Sequence, residues 1–207
     1  MTGTILTLAN GRGIDLLAPK ASDIDFAVIA EHLAKENRYN GATPNRVYSV
    51  AEHSSRGAEA IFDATGDRLL SAYFQIHDAP EAFLKDDTTP KKRALTATAM
   101  SFGVLADTIT QSFDLLTERF DAAIHEAAGL PWPPTPDMQA QIKHWDLTMF
   151  VTEWRDLMGD HIHPHWGPYE HIVPLPERII PWCGWTSAYA QFVRGCHELL
   201  PALRRRE

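Results

Sequence analysis

The chain has 207 residues, 44% of them hydrophobic, with 19 Lys and Arg against 27 Asp and Glu and a formal net charge of −8. That length suits one domain, spanning 1–207, that buries a core without a disulfide or structural metal as a staple. The acid excess argues against a protein that coats long nucleic acid, whereas a small anionic substrate needs only a few local cations. Cys183 and Cys196 fall in no redox or metal spacing. No apolar run approaches the ~18 residues of a membrane helix, and the opening MTGTILTLANGRG lacks a basic, apolar leader. These features point to an acidic globular protein of the cytoplasm with reduced thiols and no membrane partner.

No internal repeat appears. Residues 4–8 and 14–17 are β-prone and flank the turn signal Gly11-Arg12-Gly13, which reads as a small hairpin within residues 1–20. From a cap at Ser22 or Asp23 the pattern becomes helical to about Asn37, with Phe26, Ile29, Ala30 and Leu33 on one face. A second helix is expected over about 49–64, stopped by Gly66. A third starts at Asp67 and carries Leu70, Tyr73, Phe74 and His77 along one side, with Pro80 kinking or restarting it. Residues 90–128 read as helical with a break at Gly103. Thr135-Pro136 opens a strong helix to Met158, because proline costs nothing at the first turn. Residues 159–182, rich in Pro, Gly, His and Trp, read as an ordered loop held against the body, and a last helix occupies about 186–205. The fold class is mainly α, one domain, with a short N-terminal β-hairpin.

The residues that carry chemistry start with His77-Asp78-Ala79-Pro80-Glu81. An imidazole and two carboxylates cluster there after an apolar stretch, and buried carboxylates need a positive partner. His53 falls on the apolar side of the second helix, where a core histidine bonded to a backbone carbonyl is the plain structural account. Asp146 lies on the apolar face of the 136–158 helix, beside Ile142, Met149 and Phe150. An aspartate there needs an ion pair or a metal. Its same-face neighbours include Lys143 and Glu153, so a Lys143–Asp146 pair competes with ligation. Together His53, His77, Asp78 and Asp146 offer a two-histidine, two-carboxylate set. Such a set suits one divalent ion of Mn, Co, Fe, Ni or Zn, and suits Mg less. Glu81 stands beside it as the candidate general acid or base. A second metal set, His161, His163, His165 and His171 in the loop, has no cysteine or carboxylate to frame it.

This order of blocks resembles the HD-domain metal phosphohydrolases. It is most similar to the bacterial 5′-deoxynucleotidases of the YfbR-like group and related viral dATP triphosphohydrolases. Arg38-Tyr39-Asn40, Tyr48 through Ser54, His77 through Glu81 with Asp86, Thr89 through Lys92, and Ile142 through Asp146 carry the likeness, over more than half of the chain. The resemblance implies a helical HD fold and a homodimer. It implies one divalent metal on His53, His77, Asp78 and Asp146, with Glu81 assisting proton transfer. Arg38, Lys92 and Lys143 would meet phosphates, Tyr39 would pack on the base where the family has a larger aromatic, and Asp86 would lie near the sugar. The implied reaction is hydrolysis of a deoxynucleoside 5′-monophosphate. The alternatives are a triphosphohydrolase using the same site and a non-catalytic nucleotide or metal sensor, the latter having no need of Glu81.

Overall fold

The computed structural model describes residues 3–44, 46–159 and 167–204. Strands β1 (Ile5–Thr7) and β2 (Gly13–Asp15) pair antiparallel with Leu6 opposite Ile14, and Ile14 is buried beneath the hairpin. Helix α1 (Phe26–Lys35) starts later than Ser22 or Asp23 would place it. Residues 21–23 form a 3₁₀ turn, and the Asp25 carboxylate accepts from Ala27 N to cap the helix. The helix also ends two residues before Asn37, at an extended Glu36. Phe26, Val28, Ile29 and Leu33 face the core.

Helix α2 (Val50–Thr65) is capped by Ser49, whose side chain accepts from Glu52 N, and stops at Gly66 in the left-handed conformation. Helix α3 (Arg68–Gln75), capped by Asp67, is shorter than its apolar periodicity suggests. Residues 76–80 form tight turns, with Ala79 N bonded to Ile76 O and Glu81 N to Asp78 O, before α4 (Glu81–Leu84) restarts. His77 and Asp78 therefore sit on a turn rather than on a helical face. Helix α5 (Thr89–Ser101) and helix α6 (Ala106–Ala128) break at Gly103, whose φ is 81°. Helix α7 (Pro136–Leu157) has Thr135 as its cap and proline in its first turn. Helix α8 (Trp185–Leu199) packs on α1, α2 and α3 through Ala188, Phe192 and Cys196.

Two apolar clusters result. The larger joins α1, α3, α8, the hairpin and the buried end of α6. The smaller, with Tyr48, Ile61, Leu70, Phe74 and Met149, lies between α2, α3 and α7. Helix α5 buries none of its residues and α6 begins to do so only at Phe120, so α5 and the first half of α6 form an arm. Its tip exposes Phe102 and Leu105, which are 80% and 75% accessible. No helix of the described residues is long and apolar enough to cross a membrane.

The loop expected over 159–182 is described from Gly167, and from there it runs along α7 and α2 as a strap. Arg155 donates to the carbonyls of Leu175 and Glu177, at 2.6 and 2.9 Å, and Asp156 accepts from Ile179 N at 2.8 Å. Glu52 accepts from Trp182 N at 2.9 Å, and the Arg56 guanidinium lies over the Trp182 ring. Of the four loop histidines, His161, His163 and His165 lie outside the described residues, and His171 is exposed.

Candidate metal centre

Three elements bring the site together. Helix α2 presents His53, the turn after α3 presents His77 and Asp78, and α7 presents Asp146. The approach of α2 to α3 depends on Gly57, one turn beyond His53. A Cβ built there would stand 2.1 Å from a ring carbon of Phe74, itself three residues before His77. The missing side chain lets the two histidine rings meet, with centroids 5.2 Å apart.

His53, His77 and Asp146 form a group whose ligand atoms all lie within 4.8 Å of one another, an arrangement that could hold a metal ion. Asp78 Oδ2 is 3.2 Å from His77 Nε2 and 3.6 Å from His53 Nε2. Asp146 Oδ1 is 3.7 Å from His53 Nε2. The other ring nitrogens have acceptor-only partners. His53 Nδ1 lies 2.6 Å from Glu153 Oε1 and His77 Nδ1 lies 2.7 Å from Phe74 O, so in the neutral rings both Nδ1 atoms carry the proton. Both Nε2 atoms are then lone pairs, facing each other at 3.3 Å beside two carboxylates. Converging lone pairs with no proton between them suit a cation, and hydrogen-bonding the far nitrogen to carboxylate or carbonyl is how proteins orient metal-binding imidazoles.

The electrostatics keep both carboxylates charged, and without a cation Asp78 favours a proton on His77 in its place. Burial would raise the Asp78 carboxyl, but His77 first, then His53 and Arg38, hold it well below the usual range. Asp146 is likewise lowered, by His77 and His53 against the effect of burial. Burial opposes charge on His77, yet the Asp78 carboxylate keeps its imidazole above the ordinary value. The Lys143–Asp146 pair also forms, at 2.7 Å to Oδ2, leaving Oδ1 turned to His53, so ion pairing and ligation use different oxygens.

Around this group, Arg38 Nη1 donates to Asp78 Oδ2 at 3.3 Å. Glu81 lies close by, and its Oε2 is buried with no hydrogen-bond partner among the described residues. Burial, then the negative charges of Asp78 and Asp86, push Glu81 up to about 10. Lys92 is exposed on α5, near enough for its charge to favour ionisation of both Glu81 and Asp86. Asp86 is half-buried and raised mainly by burial. Tyr39 turns inward: its hydroxyl donates to Glu153 Oε2 at 2.6 Å and its ring stands edge-on to Trp154.

Two residues have a place in the site that the sequence did not assign them. Glu153, wholly buried on α7, replaces the backbone carbonyl of the plain account as the partner of His53. Its position two turns from Asp146 on the same face was the available signal. Asp121 on α6 lines a cavity of about 280 Å³ with His125, Trp132, His77 and Asp146. Burial and the Asp78 charge push it up to about 7. Nothing in its local sequence sets it apart from a solvated helical aspartate.

Fold and site thus define a mainly helical protein with a short two-stranded sheet and a buried histidine–aspartate group able to hold a metal ion. The chain is 38% identical over 156 residues to the uncharacterized protein RCAP_rcc00048 of Rhodobacter capsulatus, covering 73% of this chain and 72% of that one. It is 31% identical over 179 residues to the uncharacterized protein YfdR of Escherichia coli, covering 86% and 85%. The chain belongs to the family these two proteins represent. No family model matches it.

Proposed function

We propose that this protein is a divalent-metal-dependent phosphohydrolase of the HD type, acting on a nucleotide and preferring a deoxynucleoside 5′-monophosphate. The observation that carries the reading is the convergence of two imidazole Nε2 atoms and two carboxylates beside a part-buried arginine and the buried, unpartnered Oε2 of Glu81. His53, His77, Asp78 and Asp146 would hold the ion. Mixed nitrogen and oxygen donors suit Mn, Co, Fe, Ni or Zn better than Mg. When bound, such an ion lowers the pKa of water and polarises a phosphoryl oxygen.

The chain's own groups complete the reaction. Arg38, Lys143 and Lys92 neutralise the phosphate oxygens, a local group of three cations in an acidic protein. A water oxygen bonds to phosphorus as the bond from phosphorus to O5′ breaks. Glu81 Oε2 gives its proton to the leaving O5′, and the attacking water returns one to it. A carboxyl pushed up to about 10 is protonated at neutral pH, as that role requires. The products are a nucleoside and inorganic phosphate. The cavity walled by His125 and Trp132 supports the reading by offering room next to His77 and Asp146 for the nucleoside, and Asp86 stands ready for the sugar. With its ring among Phe150 and Trp154, Tyr39 contributes to the shape of the anion side rather than lying open to a base.

The test is to incubate metal-free protein with each deoxynucleoside mono- and triphosphate, adding Mn, Co, Mg or Zn singly, and to identify the phosphate released. Turnover is expected only with metal, and Glu81→Ala is expected to lower it by about 10²–10⁴-fold while Mn²⁺ still binds. Released triphosphate would transfer the assignment to the triphosphohydrolase. Binding of metal and nucleotide without turnover under any metal would make the protein a sensor.

A further inference from the structure

Glu153 is not among the groups facing the candidate ion, yet it contacts three residues of the site, His53, Arg38 and Tyr39. Its side chain is fully buried and both oxygens are engaged. Oε1 accepts from His53 Nδ1 at 2.6 Å, while Oε2 accepts from the Tyr39 hydroxyl at 2.6 Å and from Arg38 Nε at 3.1 Å. Arg38 then reaches forward from Glu153 to Asp78 through Nη1, at 3.3 Å. The backbone is bent to make this possible. Tyr39 and Asn40 both adopt left-handed φ, 57° and 54°, a conformation that L residues rarely adopt twice in succession and that Asn tolerates better than Tyr. The bend lays the Arg38 and Tyr39 side chains together on one oxygen of Glu153.

A buried ion pair can often be replaced, both partners together, by apolar side chains of similar volume without loss of stability. Here Glu153 joins two parts of a site, His53 and Arg38, that lie 100 and 115 residues from it in sequence. The far nitrogen of a metal-binding histidine and the rear edge of a phosphate-facing arginine share one anion. Burial works against charge on Glu153, and Arg38 and then His53 offset it from either side.

We propose that Glu153 is a positioning residue that couples cation binding to anion binding: one oxygen fixes His53 with Nε2 toward the ion, and the other fixes Arg38 with its outer edge toward a phosphate oxygen. The cation half stands on the geometry alone, and the anion half rests on the phosphohydrolase reading. Two binding constants measured without turnover separate them: Mn²⁺ affinity by calorimetry, and inorganic phosphate affinity of the Mn²⁺-loaded protein. Glu153→Gln is expected to weaken Mn²⁺ by about 10–100-fold, the usual consequence of losing the partner of a metal-binding histidine, and to weaken phosphate at least tenfold. Tyr39→Phe removes one hydrogen bond on the Arg38 side only. It is expected to weaken phosphate several-fold with Mn²⁺ affinity within twofold of wild type. A merely structural Glu153 would show a lower melting temperature in EDTA with both affinities kept in the folded fraction, and that result overturns the proposal. Should Glu153→Gln fail to fold, Tyr39→Phe decides: a phosphate affinity unchanged from wild type, or a loss of Mn²⁺ affinity larger than that of phosphate, overturns the proposal. Wild-type protein that binds Mn²⁺ but no phosphate overturns the anion half together with the phosphohydrolase reading, and leaves the Mn²⁺ arm of Glu153→Gln to judge the cation half.

Discussion

At Glu81 the folded chain keeps a carboxyl protonated far above its ordinary range, through burial and the neighbouring Asp78 and Asp86 charges. The linkage has a definite sign. The unfolded carboxyl ionises from about pH 4.5 and the folded one only near 10, so in metal-free protein this group removes stability progressively as pH rises between those values. Glu81→Gln keeps the uncharged shape and is expected to be more stable than wild type by an amount that grows with pH, up to about 5 kcal/mol by pH 8. Urea denaturation of both proteins in EDTA at pH 5 and pH 8 measures it, and a gap that does not change with pH contradicts the buried, protonated carboxyl. The sequence allowed His77, Asp78 and Glu81 to be singled out because an ionisable cluster interrupts an apolar stretch. Asp146 stood out for the opposite reason, a lone carboxylate on an apolar helical face. Glu153 shares that face, but a second acid two turns along looks like an ordinary solvated partner until the tertiary fold places Arg38 and His53 against it. Contacts made between residues a hundred positions apart leave no local signature.

Among the elements, most helices were legible from their periodicity and stop signals, and the errors sit at their ends. Helix α3 stops at Gln75 because the turn before Pro80 takes the backbone out of register, although Ile76 and His77 continue the apolar pattern. Periodicity records which face is buried, not whether the hydrogen-bond ladder continues. The closeness of α2 and α3 was not legible at all, since Gly57 in a helix reads only as a weak position. It is expected to be intolerant. Gly57→Ala forces Phe74 to move and should cost about 1–3 kcal/mol by chemical denaturation, as overpacked cores do. Because Phe74 lies against both histidine rings, the same variant should also bind Mn²⁺ less tightly. Unchanged stability would mean that the two helices can part without cost.

For the molecule as a whole, α8 closes the core from the C-terminal end. Phe192 is fully buried there, and Phe192→Ala is expected to cost about 3–5 kcal/mol, enough to unfold much of a marginally stable chain at 37 °C. Thermal melting followed by circular dichroism tests this. The strap from Gly167 to Trp182 ties the same end of the chain to α2 and α7, next to His53 through Glu52. The arm of α5 and early α6 is built differently, with helical hydrogen bonds but no buried side chain to hold them closed. Its amides should therefore exchange with solvent through local opening, orders of magnitude sooner than those of α3, which wait for global unfolding. Lys92 rides on that arm. An anion bridging Lys92 to the body would thus register first as slowed deuterium uptake along α5, giving the most loosely held part of the protein the clearest record of what occupies its centre.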